Sequence, residues 1–208
     1  MKLRFKHQRF QAEAAKAVCD VFAGQPKHDS SYIIERGALT QPEQEKLDFD
    51  GQTGSSHNNG RVLLSSEQVL ENLQRVQRHN QIAPSKRLEG QYNLTIEMET
   101  GVGKTYTYIK TMYELHKLYG WSKFIVVVPS VAIREGVFKS FQITQDHFAE
   151  DYNQKIRFFI YDSSNLTMID QFAADSGINV MIINSQAFNS RGKDARRIYM
   201  KLDSFRSR

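Results

Sequence analysis

The stretch "NLTIEMETGVGKTYTYIKTMYELHKL", residues 93–118, decides how this chain is read. It opens as an apolar strand-like run, turns at "ETGVGKT", and continues with Ile109, Met112, Tyr113, His116 and Tyr119 spaced for one helical face, until Gly120 stops the pattern. Strand, glycine-bearing turn, Lys-Thr, helix is the order a phosphate-binding loop requires. Gly101 and Gly103 reach backbone angles closed to other residues, so successive N–H groups can converge on an anion at a helix N-terminus. Lys104 would then meet the outer phosphates and the Thr105 hydroxyl would take a place on Mg²⁺. The candidate nucleotide-binding residues are Glu99, Thr100, Gly101, Val102, Gly103, Lys104 and Thr105, with Lys104 and Thr105 also the candidate catalytic pair. One departure stands out: the full pattern asks for Gly at position 98, where this chain has Met98.

On the C-terminal side, strand and helix alternate. "KFIVVVP" (123–129) is a continuous apolar strand, as expected when both sheet faces are covered. "SVAIREGVFKSF" (130–141) reads as a helix, "IRFFIY" (156–161) as a strand, "LTMIDQFAADSG" (166–177) as a helix and "INVMIIN" (178–184) as a fourth strand, after a first at "YNLTIEM" (92–98). This alternation argues for an α/β domain with a mainly parallel sheet. On the N-terminal side, "QRFQAEAAKAVCDVFA" (8–23) reads as a helix ended by Gly24 and Pro26. Residues 25–65 are a surface excursion containing the turn cluster "FDGQTGSSHNNGR". "SSEQVLENLQRVQRHN" (65–80) is a helix capped by Ser65 or Ser66.

Bulk properties narrow the class. A chain of 208 residues, 40% hydrophobic and 25% charged, suits a soluble globular domain, and no apolar run is long enough for a membrane span. The single Cys19 lies in a helical apolar pattern and reads as a small buried hydrophobe. The lack of an apolar leader in "MKLRFKHQRF" and the cysteine usage point to the cytoplasm. Residues 185–208 hold seven basic and two acidic side chains, which accounts for the whole net charge of +5, so the basic character belongs to that end and not to the body. Tyr199 and Phe205 interleave with those charges, but a solvated helix is the preferred reading over a DNA-binding arm. The six histidines are scattered without metal-ligand spacing.

Five segments in order, "MKLRFKHQRFQAEAAKAV", "IEMETGVGKTYTYIK", "FIVVVPSVAIREGVFKSF", "FFIYDSSNL" and "VMIINSQAFN", together resemble the N-terminal part of the Res (restriction) subunit of type III restriction–modification enzymes, in helicase superfamily two. The resemblance covers nearly the whole chain. Met in place of the first loop glycine is usual in that family, and "PSVAIREGV" is its most specific piece. The resemblance implies a P-loop, RecA-like three-layer α/β/α domain over 91–208, incomplete at its C-terminus, behind an N-terminal part (1–90) with a Q-motif-like segment and an irregular insertion. It implies that Gln11 in "RFQ" reads the adenine edge, with Gln8 as rival, and that Ser130 and Arg134 in "PSVAIRE" and Asn184, Ser185 and Asn189 in "NSQAFN" meet the DNA backbone. It also implies ATP and Mg²⁺ as cofactors, with double-stranded DNA and a methyltransferase (Mod) subunit as partners.

An ATPase of this kind needs an acid at the end of a sheet strand. The family supplies it as D-E-P-Q or D-E-x-H, which is not found here and is expected beyond residue 208. Asp162 in "FFIYDSS" is the local candidate and reads better as a turn or helix cap. The expected function is the ATP-binding part of an ATP-dependent type III site-specific deoxyribonuclease, with little turnover by the isolated chain. Two alternatives are another superfamily-two helicase or repair translocase, and a nucleotide-binding module without turnover.

Overall fold

The structure is a computed structural model that describes residues 5–28, 32–33, 56–162 and 167–186. Asn189 and the basic end lie outside the described residues. In chain order the elements are α1 (Arg9–Asp20), β1 (Tyr32–Ile33), β2 (Ser56–His57), α2 (Ser66–His79), α3 (Lys104–Tyr119), β3 (Lys123–Val128), α4 (Val131–Tyr152), β4 (Arg157–Ile160), α5 (Thr167–Ala174) and β5 (Asn179–Asn184). The short β1 and β2 pair antiparallel, while β3, β5 and β4 form a parallel sheet in that order.

β5 is the centre of this sheet, and its apolar run is explained by burial on both faces. Side chains alternate along a strand. Val180 and Ile182 therefore face α3 and α4, in a core with Ile109, Met112, Val137, Phe141 and Phe148, while Met181 and Ile183 face α5, in a core with Tyr161 and Ile169. The two cores make a three-layer α/β/α arrangement. Backbone groups follow the same parity: the Asn179 N–H bonds the Ser122 carbonyl and the Ser185 N–H the Val128 carbonyl, so the even residues of β3 address β5. Lys123, Ile125 and Val127 address the other edge, which no strand pairs among the described residues. Ile125 and Val127 are 44% and 53% exposed.

The expected strand at 92–98 is not formed as a ladder. A strand persists through a partner's hydrogen bonds, and among the described residues this segment makes only the Glu89–Asn93 bridge beside a tight turn at Gly90 (φ +56°). Leu94 packs inward, yet Ile96 is half exposed. The helix read at 130–141 runs on to Tyr152, because Phe141, Thr144 and Phe148 continue its buried face before Asn153 ends it in the left-handed conformation. Ser65, not Ser66, caps α2: its hydroxyl accepts from the Gln68 N–H while the Gln68 side chain accepts from the Ser65 N–H.

A further core joins the N-terminal helices to the end of α3. Cys19, Val21 and Phe22 meet Val69 of α2, Tyr119 and Trp121, with the Phe22 ring edge-on to the Trp121 indole at 5.0 Å. Burial pushes the Cys19 thiol up to about 12, so it packs as a neutral apolar group. Carboxamides, those of Asn72 and Gln25 buried, tie down the irregular backbone around this core. Asn72 donates to the carbonyls of Val21 and Ala23, and Gln25 donates to Arg61 O and accepts from the Leu63 N–H. Asn59 accepts from the N–H groups of Ser122 and Lys123 and donates to the Lys123 carbonyl, closing the first residue on the unpaired edge of β3.

Asn72→Ala removes the donor of two carbonyls at a site only 6% exposed. It should cost about 1–3 kcal/mol, read as a lower urea midpoint at unchanged slope. An unchanged midpoint would mean that water replaces the carboxamide.

Candidate nucleotide-binding site

The turn at 100–103 works through two glycines. Gly101 has φ +84° and Gly103 φ +88°, both in the left-handed region that side chains resist. Gly103 is the N-cap of α3, its carbonyl accepting from the Thr107 N–H at 3.0 Å, and no side chain caps that end of the helix. α2 and α4 differ, since Ser65 and Ser130 cap them. The first turn of α3 thus presents N–H groups without intrahelical partners, at the positive end of a 16-residue helix with no acid in its first turn. Together with the space beside Gly101, where an added Cβ would meet nothing within 4 Å, this makes a candidate cradle for an anion.

Lys104 lies at the mouth of the cradle. Its ammonium donates to the carbonyls of Met98 and Glu99 at 2.6 and 2.7 Å, and is exposed. Two backbone carbonyls hold the cation across the turn, where a polyphosphate would compete for it with formal negative charge. Thr105 follows on the helix, half-buried. Burial pushes the Tyr108 phenol up and the nearby Thr105 side chain pulls it part of the way back.

Gln11 is the distant residue brought to the loop. It is 8% exposed on α1, and its amide nitrogen donates to the Val102 carbonyl at 2.9 Å. A Cβ on Gly103 would stand 2.5 Å from that nitrogen, so glycine is needed there for its conformation and for the approach of Gln11. Gln8 is exposed and contributes its backbone carbonyl to the start of α1. Of the two glutamines, only Gln11 reaches the loop.

The expected DNA-facing residues gather at the C-terminal ends of β3 and β5. Asn184 is in register with Val128, the Ser185 N–H bonds the Val128 carbonyl, and Ser130 follows two residues later, its hydroxyl accepting from the Ile133 N–H at 3.3 Å. Arg134 bonds the neighbouring Glu135 at 2.9 Å. Asp162 follows β4, which β5 separates from β3. The reading of side-chain types had no means of finding the Met98, Glu99 and Val102 carbonyls, because a backbone acceptor leaves no mark in the sequence.

A family model described as type III restriction enzyme, res subunit, matches residues 6–204. The chain belongs to this family. It is 34% identical over 152 residues to the type III restriction-modification enzyme EcoP15I Res subunit of Escherichia coli, covering 64% of this chain and 16% of that protein. It is 36% identical over 162 residues to the EcoPI Res subunit of Escherichia phage P1, covering 76% and 15%. The StyLTI Res subunit of Salmonella typhimurium is 35% identical over 123 residues, covering 50% and 12%. The chain therefore spans less than a fifth of the length of these relatives. The fold agrees with the P-loop, helicase-type α/β class read from the sequence. No helix among the described residues is long and apolar enough to cross a membrane.

Gly103→Ala should impose left-handed strain of about 1–2 kcal/mol and displace Gln11. The double variant with Gln11→Ala removes the collision but keeps the strain, so thermal denaturation should recover only part of the loss. Full recovery would show that the close approach alone demands glycine.

Proposed function

We propose that this chain is the ATP-binding part of the ATP-dependent translocase and restriction subunit of a type III restriction enzyme. The observation that carries this reading is the uncapped, glycine-turned start of α3 with Lys104 held across its mouth by two carbonyls. In this reading the turn at 99–103 wraps the phosphates and Lys104 exchanges the Met98 and Glu99 carbonyls for phosphate oxygens. Thr105 supplies one oxygen to Mg²⁺, an ion that when bound offsets charge on the phosphates. The chemistry of the turn suits such a group, since the start of α3 has no side-chain cap and no acid in its first turn, and the space beside Gly101 is open. Gln11, already buried against Val102, offers an amide to the adenine edge.

Residues 91–208 would be the first RecA-like motor domain and 1–90 an N-terminal elaboration that delivers Gln11. Ser130, Arg134, Asn184 and Ser185 would contact the backbone of double-stranded DNA. Their common position at one end of the sheet supports this, with Arg134 trading Glu135 for phosphate. The complete protein would work in the cytoplasm with a methyltransferase subunit.

Isothermal calorimetry with Mg-ATP tests the central claim. Lys104→Ala should bind about 10-fold or more weakly than wild type, the loss of one charge-assisted contact; equal affinity would defeat the loop's assigned role. A separate comparison addresses the base. Gln11→Ala should lose discrimination of ATP from GTP by about 1–3 kcal/mol, and undiminished discrimination would remove Gln11 as the reader.

A further inference from the structure

Away from the loop, the chain brings together three side chains that sequence spacing did not connect. His147 and Asp151 lie one turn apart on α4, and so share a face. His7, from the segment ahead of α1, meets them there: its Nε2 is 3.6 Å from Asp151 Oδ1, and His147 Nε2 is 3.7 Å from Asp151 Oδ2. One ligand atom from each residue lies within 4.8 Å of the other two.

We propose that His7, His147 and Asp151 form a binding site for a divalent transition-metal ion of the Zn²⁺ class, which fastens the segment ahead of α1 to α4. Two imidazoles and one carboxylate are the donor set of open tetrahedral zinc sites, with a fourth position left for water. Bonds of about 2.0–2.2 Å to a tetrahedral ion place ligand atoms roughly 3.3–3.6 Å apart. The two N···O separations, one to each carboxylate oxygen, stand close to that edge and are longer than hydrogen bonds, and a single ligand atom from each residue lies within 4.8 Å of the other two. Small rotations of the exposed His7 and of Asp151 close the remainder. Mg²⁺ prefers oxygen ligands and water, so the donor chemistry separates this site from the phosphate loop.

The surroundings hold the His147 ring in place: its side chain is only 13% exposed. Its Nε2 bonds the Tyr106 hydroxyl at 2.8 Å, a bond the ion would replace. Phe5 and Phe148 pack on the His147 ring at 5.3 and 5.2 Å, fixing its plane. Because residues 5–8 lead directly into α1, an ion here would steady the helix that carries Gln11 to the loop.

The test uses the metal-free 208-residue chain without nucleotide, titrated with Zn²⁺ by calorimetry and with Co²⁺ by visible absorption. His7→Gln is the main variant, because His7 is 62% exposed and its loss does not open the core. Asp151→Asn is the second, and His79→Gln, on the exposed end of α2, is the control. Wild type and His79→Gln should take up one ion with the intense absorption of tetrahedral Co²⁺. His7→Gln and Asp151→Asn should each weaken uptake by about 10–100-fold or more, since an outer-sphere partner alone is worth that much. Zn²⁺ should also raise the melting temperature of wild type and not that of His7→Gln. No uptake by wild type at about 100 μM metal, or uptake unchanged in His7→Gln and Asp151→Asn, would overturn the proposal and leave the cluster as aromatic packing with an ion pair.

Discussion

Gly103 must hold a left-handed backbone for α3 to start where it does, and much of the molecule is arranged around that requirement. The conformation turns the Gly103 carbonyl into the helix, leaves the first N–H groups facing outward, and sets Lys104 across the turn. The same missing side chain leaves room for Gln11 to reach the Val102 carbonyl. α1 is thereby registered against the loop, and the Tyr119 hydroxyl, donating to the Cys19 carbonyl, registers it again at the far end of α3. A helix held at both ends by another helix makes the N-terminal segment an integral wall of the site.

The relation between α3 and α4 is the second mechanical link. Lys110 donates to the Tyr152 hydroxyl, which donates to Glu114, while the Tyr106 hydroxyl pairs with His147. These polar contacts flank the apolar core above the sheet, where Tyr113 stacks on Tyr152 at 4.7 Å. α4 begins at Ser130, beside Asn184 and Ser185, and α3 begins at the phosphate cradle. One rigid pair of helices therefore spans the two places where a nucleotide and a polynucleotide are proposed to sit.

The parts of the sequence that report a period or a conformational demand were legible. β5 reads as buried because every position from Asn179 to Ile183 is covered, and α3 reads from the spacing of Ile109, Met112 and Tyr113. Gly101 and Gly103 announce their positive φ because few other residues tolerate it. What failed to show depends on partners distant in sequence. "YNLTIEM" has strand composition, but a ladder needs a neighbour that composition does not supply. His7 and His147 stand 140 positions apart, and tertiary packing, in which Phe5 meets Tyr106 and His147, brings them together. Asn59 lies in a stretch that reads as a surface turn, yet its carboxamide closes three backbone groups of the chain at 122–123.

That carboxamide also acts as a gatekeeper. An open sheet edge is a template on which foreign strands polymerise, and β3 is apolar enough to be a dangerous one. By occupying the N–H and carbonyl of Lys123, Asn59 imitates the end of a neighbouring strand and takes away the first docking rung. Among the described residues, Ile125 and Val127 keep outward-facing amides on this edge within the strand. A side chain from a turn-rich stretch thus shortens, among the described residues, the free edge of the most regular part of the molecule.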